Sequence, residues 1–325
     1  MEYVQIPGTH LRSSVLGLGT AALGTTIDTQ ASFRLLDAFL DHGGTMLDTA
    51  SAYANWVPGE TSLSEKTIGH WLQDRGNRQR VQIATKGGNP NVGTGHISRL
   101  SPAEIRHDLE ASLRNLRIEM IDLYYLHRDD PTRPVEEIVE ELNKYVQFGQ
   151  VRYLGCSNWR RERISAAQTY AAAHGLQDFS ANQMLWNAAI CDYEAIGDPT
   201  IVQMDPDLWQ YHQQTGLAAV AYSSQANGFF NKLAAGREQA IGLGTRRMYN
   251  SSENLVRLAR MQELSKRTGL TITQIVLGYL LGQPFTTIAL IGCQTIDQLN
   301  DSVTAAGIRL SREQIDYIET GLEKE

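Results

Sequence analysis

Four ionisable side chains occur at or just after the ends of short apolar stretches, and together they could supply and hold a proton. They are Asp48, Tyr53, Lys86 and His127. A free tyrosine loses its proton near pH ~10 and is a poor acid at neutrality. An ammonium within a few ångströms favours the phenolate and makes proton donation easier. The set therefore predicts a proton-donating site.

Each member of the set has a role that its chemistry suits. Tyr53 would donate the proton, and Lys86 would supply the ammonium beside its hydroxyl. Asp48 would pair with Lys86, because a charge at the end of an apolar strand costs stability unless it is paired or used. Neutral His127 would donate a hydrogen bond to a substrate carbonyl oxygen beside the Tyr53 hydroxyl. Any one of these residues alone is more often structural, whereas the whole set favours chemistry.

Strands must position these side chains, and eight β-type runs alternate with helix-type patterns along the chain. The predicted strands cover residues 14–20, 45–50, 80–86, 121–127, 151–158, 180–183, 217–224 and 286–292. The predicted helices cover residues 30–42, 63–74, 102–117, 134–147, 160–173, 205–214, 271–282 and 296–305, from apolar residues at helical spacing. Several strands are continuous apolar runs, as strands covered on both faces are.

Eight β-then-α units follow one another without a break in composition or a Ser/Pro/Gly linker. This pattern predicts an α/β protein built as one closed (β/α)8 barrel, a TIM barrel, rather than two doubly wound halves. We expect a single domain over residues 1–325. Sites in such barrels lie at the carboxyl ends of the strands, where Asp48, Lys86 and His127 are predicted to lie.

Some segments exceed what the barrel needs. The first residues read as a β-hairpin with Pro7 and Gly8 in its turn, placed to cap the bottom of the barrel. Two additional helices are predicted over residues 252–268 and 311–325. The connections 187–204 and 226–251 are long enough to be functional loops. Whether they are substrate lids or surface loops is left open.

Composition narrows the classes of partner. The 325 residues carry a net charge of −7, without the basic excess of a nucleic-acid binder, so a small-molecule ligand is expected instead. Cys156, Cys191 and Cys293 form no CxxC pair and are read as packing residues in a reducing compartment. No signal-peptide pattern or bilayer-length apolar run is present, so we expect a cytoplasmic protein without a membrane partner. Oligomeric state is left open.

The chain resembles the aldo-keto reductase superfamily over its full length, in the branch near the reductases that are similar to potassium-channel β subunits. The matching motifs are GLGTAALG (17–24), LDTASAY (47–53), IATKGG (83–88), LRNLRIEMIDLYYLH (113–127), GQVRYLGCSN (149–158), NQMLWN (182–187), AYSSQANGFF (221–230) and IGCQTIDQL (291–299). The resemblance implies a TIM barrel that binds a nicotinamide dinucleotide without a Rossmann fold and reduces aldehydes or ketones by hydride transfer. It also implies that Asp48, Tyr53, Lys86 and His127 form the catalytic tetrad, with Tyr53 as acid and no metal.

The same resemblance implies where a cofactor would bind. At the nicotinamide end it points to Thr20, Asp48, Ser157, Asn158, Gln183 and Tyr222, the last stacking on the ring. At the pyrophosphate it points to Ser223, Gln225, Gly228 and Lys232. At the adenosine end it points to Gly292, Gln294, Gln298, Asp301 and Ser302.

The adenosine end departs from the family pattern. The family often has an arginine, or in one branch a serine, where this chain has Gln294, and commonly Glu-Asn where it has Asp301-Ser302. A 2′-phosphate is best met by Arg or Lys. Arg246 or Arg247 could supply that charge, or they could be solvated loop charges. We expect NADPH as cofactor, with NADH as the second choice.

The substrate is the least determined feature. Trp56 and Trp186 follow Tyr53 and Gln183 by three residues, so both are expected to face the pocket beside His127. Further polar contacts could come from Asn55, Asn89, His96 and Arg128. We expect a small polar carbonyl compound or a sugar derivative. Two alternatives remain: a cofactor-binding regulatory subunit similar to the channel β subunits, and a barrel that binds a sugar or phosphate without redox chemistry.

Overall fold

Eight parallel strands close into a barrel in the computed structural model, which describes residues 1–322. Their order around the barrel is β10-β3-β4-β5-β6-β7-β8-β9, after an antiparallel N-terminal pair β1-β2. The strands are β1 (Tyr3–Gln5), β2 (Arg12–Ser14), β3 (Leu16–Gly19), β4 (Met46–Asp48), β5 (Gln82–Gly87), β6 (Ile121–Leu126), β7 (Val151–Ser157), β8 (Phe179–Leu185), β9 (Ala218–Tyr222) and β10 (Thr287–Ile291). The predicted (β/α)8 barrel with an N-terminal hairpin is confirmed.

Helices surround the barrel. They are α1 (Thr29–Asp41), α2 (Leu63–Arg75), α3 (Pro102–Leu116), α4 (Val135–Gln147), α5 (Arg161–His174), α6 (Pro206–Thr215), α7 (Phe229–Ala234), α8 (Leu243–Tyr249), α9 (Ser252–Thr268), α10 (Ile272–Leu281), α11 (Ile296–Val303) and α12 (Arg312–Thr320). The first turn of α3 shows how sequence sets a boundary, since Ser101 and Glu104 form a reciprocal capping box and Pro102 occupies the first helical position between them.

The predicted extra helices are present as α9 and α12, but the connections differ from the prediction. The connection 226–251 contains α7 and α8, which the sequence pattern did not indicate. α12 ends at Thr320, five residues before the predicted end, and Gly321 follows it in the left-handed conformation that stops a helix. The predicted helical residues 323–325 lie outside the described part of the chain.

The barrel interior is filled by alternate side chains of its strands. This cluster includes Met46, Leu123, Tyr125, Val220 and Ile288. Ile6 and Leu11, from the hairpin, belong to the same cluster, so the hairpin closes the bottom of the barrel. The interior is therefore a packed core, and the opposite, carboxyl end of the strands is the end at which a ligand can enter.

The three cysteines are free, as expected, but only two of them are buried. Cys156 and Cys293 pack in the outer core, whereas Cys191 is half-exposed in the connection after β8. Cys191 nevertheless packs against that core, as expected of a packing residue. Within residues 1–322, no helix combines the length and apolarity needed to cross a bilayer.

Candidate active site

Strand register brings the four predicted catalytic residues to one end of the barrel. β4 and β5 pair with Asp48 opposite Ala84, and β5 and β6 pair with Lys86 opposite Tyr125. The chain then continues past each strand end with further backbone bonds, such as His127 N–H to the Gly87 carbonyl at 2.8 Å. Because side chains alternate along a strand, Asp48, Lys86 and His127 share the inner face of the barrel, and Tyr53 lies in the turn that follows β4.

The Lys86 ammonium lies at the centre of the site. It is fully buried and donates to Asp48 Oδ1 at 2.6 Å, to the Thr49 carbonyl at 2.8 Å and to the Tyr53 hydroxyl at 3.2 Å. Asp48 is also buried, and its second oxygen accepts from Gln183 Nε2 at 2.7 Å. All three ammonium hydrogens thus have an acceptor, which fixes both the charge and its position.

The pKa of Lys86 is raised. Burial disfavours its charged form, but the Asp48 carboxylate and the Tyr53 hydroxyl oxygen outweigh burial. Burial also raises the pKa of Tyr53 above its usual 10.0, while the Lys86 ammonium lowers it only in part. Lys86 therefore acts in the direction expected from the sequence, but burial is the larger effect. Tyr53 retains its proton at neutral pH and has it available to give.

His127 is a neutral donor beside Tyr53. Their rings meet edge to face with centroids 6.0 Å apart. Burial, and then the nearby cations Arg128 and Lys86, hold the pKa of His127 well below its usual 6.5. The buried ring atom Nδ1 has no hydrogen-bond partner among the described residues. An imidazole in this state can donate one N–H to a ligand oxygen without carrying a charge.

The side chains expected around a nicotinamide ring lie on the next strands of the same rim. Tyr222 donates its hydroxyl to Asn158 Oδ1 at 2.8 Å, and Asn158 Nδ2 donates to the His127 carbonyl at 3.1 Å and to Ser157 Oγ at 3.1 Å. Gln183 is joined to Asp48, as described above. The structure therefore brings Ser157, Asn158, Gln183 and Tyr222 together with the tetrad.

The residues expected at the pyrophosphate and the adenosine surround the end of β10. Gln225 Nε2 lies 3.4 Å from Ser302 Oγ, which links the connection after β9 to α11. Lys232 Nζ donates to the Asn227 carbonyl at 3.0 Å, next to Gly228. Gln298 Oε1 accepts from the backbone N–H of Gln294 at the start of α11. Gly292 has open space where a Cβ would be, so a ligand can approach its backbone closely.

Two residues of that group are less available to a ligand than the rest. Ser302 is buried. The Asp301 carboxylate accepts from the Thr273 hydroxyl, so it is already paired with α10. The side chains of Gln294 and Gln298 are exposed at this end, and neither carries a charge.

The two candidate arginines differ from each other. Arg246 donates to the backbone carbonyls of Ile241 at 3.0 Å and Glu238 at 2.7 Å, which holds it against its own connection. Arg247 is exposed on α8 and makes no ion pair with any residue between 1 and 322. Arg247 is therefore the cation of the pair that is available to a phosphate.

Two predicted contacts are corrected by the structure. Thr20 is fully buried, and its hydroxyl donates to the Asp48 carbonyl at 2.8 Å beside Ser64, so it supports the strand ends rather than facing a ligand. Trp186 does not face the barrel mouth. Its ring stacks on Phe285 in the outer layer at a centroid distance of 5.9 Å, because three residues after the inward-facing Gln183 the alternation points a side chain outward.

The other predicted polar contacts lie around the rim, where one residue that the sequence did not single out connects them. Asp198 accepts from Arg128 at 3.3 Å and lies 3.2 Å from His96 Nδ1. Arg128 also donates to Thr200 at 2.9 Å. The Asp-Pro-Thr run at 198–200 is a turn signal that could have drawn attention to this position. The connection 187–204 is thus tied to the rim beside His127.

The remaining predicted contacts are less involved in the rim. Trp56 is 55% exposed, on the turn after Tyr53. Asn55 accepts from the Ser62 N–H, and Asn89 donates to the adjacent Pro90 carbonyl, so both side chains make hydrogen bonds within their own loops.

Backbone strain is concentrated at this end of the barrel. Seven residues other than glycine adopt positive φ there: Ala54, Ser62, His96, Asn158, Ser223, Ala226 and Asn227. Such conformations cost about 1–3 kcal/mol each and persist where the surroundings fix them, often at functional sites. Sequence patterns gave little sign of this, since only His96 and the two asparagines are residue types enriched at positive φ.

Comparison with known proteins identifies related sequences. A profile of the "Aldo/keto reductase family" matches residues 15–323. Aldo-keto reductase ausK of Emericella nidulans is 31% identical over 97% of this chain and 79% of its own length. The uncharacterized oxidoreductase YrpG of Bacillus subtilis is 31% identical over 96% of this chain and 93% of its own. The putative aryl-alcohol dehydrogenase AAD14 of Saccharomyces cerevisiae is 30% identical over 95% and 83%.

A solved structure shares the fold. The thermostable aldo-keto reductase Tm1743, crystallised with the inhibitor epalrestat, superposes with a TM-score of 0.73. It covers 98% of this chain and 99% of its own at 24% identity.

Proposed function

Because the chain belongs to the aldo/keto reductase family, we propose that it is an NAD(P)H-dependent oxidoreductase that reduces an aldehyde or ketone to an alcohol by hydride transfer. The observation that supports this most is the chain of contacts from Asp48 through Lys86 to the Tyr53 hydroxyl, at 2.6 and 3.2 Å. The buried ammonium has three acceptors and lies beside a protonated phenol, an arrangement that allows the phenol to act as a proton donor.

The proposed reaction assigns one task to each side chain. The substrate carbonyl oxygen lies between the Tyr53 hydroxyl and the neutral His127 ring, and both donate hydrogen bonds to it. As the carbonyl carbon is reduced, Tyr53 O–H gives its proton to the oxygen, and Lys86 stabilises the phenolate left behind. Asp48 keeps Lys86 charged and in position. Solvent then returns a proton to Tyr53.

A nicotinamide cofactor, when bound, supplies the hydride that this chemistry needs. The residues present fit such a group: Ser157, Asn158 and Gln183 offer amide and hydroxyl groups at the rim, and Tyr222 offers a ring face. The side-chain amide of Asn158 already has partners in Tyr222 and Val202, so binding would exchange some of these bonds. Gly228, Lys232 and Gly292 provide a cation and room for the backbone to approach phosphate groups.

We propose NADPH as the preferred cofactor. The exposed side chains of Gln294 and Gln298, at the adenosine end, supply no charge for a 2′-phosphate. Arg247 makes no ion pair among residues 1–322, and we propose that its guanidinium binds the 2′-phosphate.

The proposed substrate is a small carbonyl compound. Trp56, exposed after Tyr53, offers an aromatic face, and Arg128 with His96 offers polar groups at the rim. A polyol and an aryl group both suit such a mixture. The name of the yeast relative AAD14 adds weight to an aryl aldehyde.

A direct assay tests the function. Purified protein is mixed with NADPH and one carbonyl compound at a time, which is benzaldehyde, methylglyoxal or xylose. The loss of NADPH absorbance is then followed. We expect turnover of at least one aldehyde, and Tyr53→Phe should reduce kcat by about 100- to 10,000-fold, the usual contribution of acid catalysis. Cofactor affinity, from fluorescence titration, should change little, because only the proton donor is deleted. Full turnover by Tyr53→Phe would exclude Tyr53 as the acid.

A further inference from the structure

A cavity lies outside the barrel, between α6, α9, α10 and α12 and the connection that follows β8. Its volume is about 920 Å³, within the range of about 300–1,000 Å³ typical of sites for drug-sized ligands. Its wall includes Trp186, Trp209, Tyr279, Arg257, Arg312 and Glu319. No member of the tetrad lines it, so the proposed reaction does not account for it.

One side of the cavity is a fixed aromatic surface. Phe285, behind the wall, stacks on Trp186 with centroids 5.9 Å apart and meets Trp209 edge-on at 5.7 Å. Trp209 is also held by its indole N–H, which donates to Gln283 Oε1 at 2.8 Å. Rings that are already held in place lose little freedom when a flat ligand packs against them.

Three of the four charged side chains in the wall are engaged within the protein. Arg312 pairs with Asp316 at 2.5 Å. Glu319 accepts the Tyr279 hydroxyl at 2.5 Å. Asp205 caps α6 by accepting from its backbone.

Arg257, on α9, is the exception. It donates one bond, to the Ala188 carbonyl at 2.6 Å, and makes no ion pair with any residue of the described range 1–322. A guanidinium has five N–H donors in a planar fork that matches a carboxylate. The half-buried Arg257 therefore presents to the cavity a guanidinium that has no ion-pair partner among residues 1–322.

We propose that this cavity is a second ligand site and that it takes a planar aromatic carboxylate. The ring lies against Trp186 and Trp209, and the carboxylate accepts from Arg257. The aromatic surface selects flat apolar ligands, and the guanidinium of Arg257, which has no ion-pair partner among residues 1–322, selects the anion over its neutral or cationic counterparts.

Isothermal titration of the full chain with 2-naphthoate and with the neutral 2-naphthamide tests the proposal. We expect naphthoate to bind at one site about tenfold or more tightly than the amide, because a carboxylate forms charge-paired hydrogen bonds with a guanidinium, whereas the amide oxygen carries no charge. Arg257→Met should abolish that difference. Lys266→Gln, which removes a charge from an exposed position of the same helix, should leave it intact.

A second variant protects the test from a folding artefact. Gln213 is exposed on α6 and lines the same cavity, so Gln213→Trp narrows it without disturbing the core. It should weaken naphthoate binding about tenfold or more while the thermal unfolding midpoint stays near that of the unmodified protein. Failure of naphthoate to bind at millimolar concentration, equal affinity for acid and amide, or binding that survives both Arg257→Met and Gln213→Trp would overturn the proposal.

Discussion

At the scale of single residues, the proposed site depends on a charge that is buried and completely coordinated. Lys86 has three acceptors, in Asp48, Thr49 and Tyr53, and this arrangement raises its pKa despite burial. The neighbouring His127 experiences the opposite effect, because burial and the cations Arg128 and Lys86 lower its pKa. The two groups therefore stay charged and neutral, respectively, over the same pH range.

The expected pH dependence of the proposed carbonyl reduction follows from these directions. Tyr53 has a raised pKa and stays protonated through neutrality, while His127 has a lowered pKa and gains its proton only well below its usual 6.5. We expect kcat/KM, measured with saturating NADPH, to be flat between about pH 6 and about pH 9, since neither group changes state there.

The variant His127→Gln provides the control, because glutamine keeps a neutral donor and cannot be protonated. Its kcat/KM should be lower but equally flat. A break near pH 6.5 that disappears in His127→Gln would mean that the imidazole titrates normally and that the neutral-donor role is wrong.

The position of Asp48, Lys86 and His127 at one end of the barrel could be predicted from sequence, but the balance of forces on these side chains and on Tyr53 could not. Spacing placed Asp48, Lys86 and His127 at strand ends, whereas the net rise in the pKa of Tyr53 depends on burial, which only the fold determines. Thr20 and Trp186 were misplaced for a related reason. The alternation along a strand, continued past its end, decides which face a side chain occupies, and strand ends could not be fixed to one residue from sequence.

At the scale of elements, strand register and close helix packing set where the site lies. α2 and α3 approach so closely at Gly69 that a Cβ there would lie 2.1 Å from the Asn115 carbonyl oxygen. That contact is to backbone, which cannot move aside as a flexible side chain can. The position of α2, which follows the turn carrying Tyr53, therefore depends on this glycine.

Gly69→Ala tests that packing. We expect a loss of about 1–3 kcal/mol in the free energy of unfolding, typical of overpacking a core, measured by urea denaturation. Gly244→Ala is the matched control, since Gly244 lies in α8 and a Cβ added there would have nothing within 4 Å. That change should be neutral or stabilising by about 0.5–1 kcal/mol, from helix propensity. Equal effects of the two changes would show that close approach at Gly69 is unimportant.

Most elements were predictable because each carries its own local signal. The capping residues of α3 and the apolar runs of β5 and β6 gave boundaries within about two residues. α7 and α8 were missed because they are short and their first turns carry no side-chain cap. Asp198 was missed because its partners, Arg128 and His96, are far away in sequence, and only the folded barrel brings them together.

At the scale of the whole molecule, the two ends of the barrel have different tasks. The hairpin closes the bottom through Ile6 and Leu11, and the opposite end collects the tetrad, the strained backbone and the candidate cofactor residues. Because the two ends differ, removing a charged side chain should affect cofactor binding at the carboxyl end of the strands, the upper end, but not at the hairpin end, the lower end. The cavity beside α9 is a third region, which no member of the tetrad lines.

Cofactor preference tests that asymmetry. NADPH should bind more tightly than NADH in fluorescence titrations, and Arg247→Gln should weaken NADPH by about 10- to 100-fold, the effect of losing a charged hydrogen bond. NADH affinity should not change. Arg80→Gln removes the same charge beside the start of β5, at the lower end, and should alter neither. Equal weakening of both cofactors by Arg247→Gln would contradict a contact with the 2′-phosphate.

The most direct test of the central claim follows the hydrogen that is transferred. NADPH carrying deuterium on one face of the nicotinamide, and then on the other, is incubated with the protein and an aldehyde that it turns over, and the alcohol is examined by mass spectrometry. Hydride transfer in a fixed geometry predicts one deuterium on the carbinol carbon from one labelled cofactor and none from the other. Alcohol without deuterium from either cofactor would contradict the account.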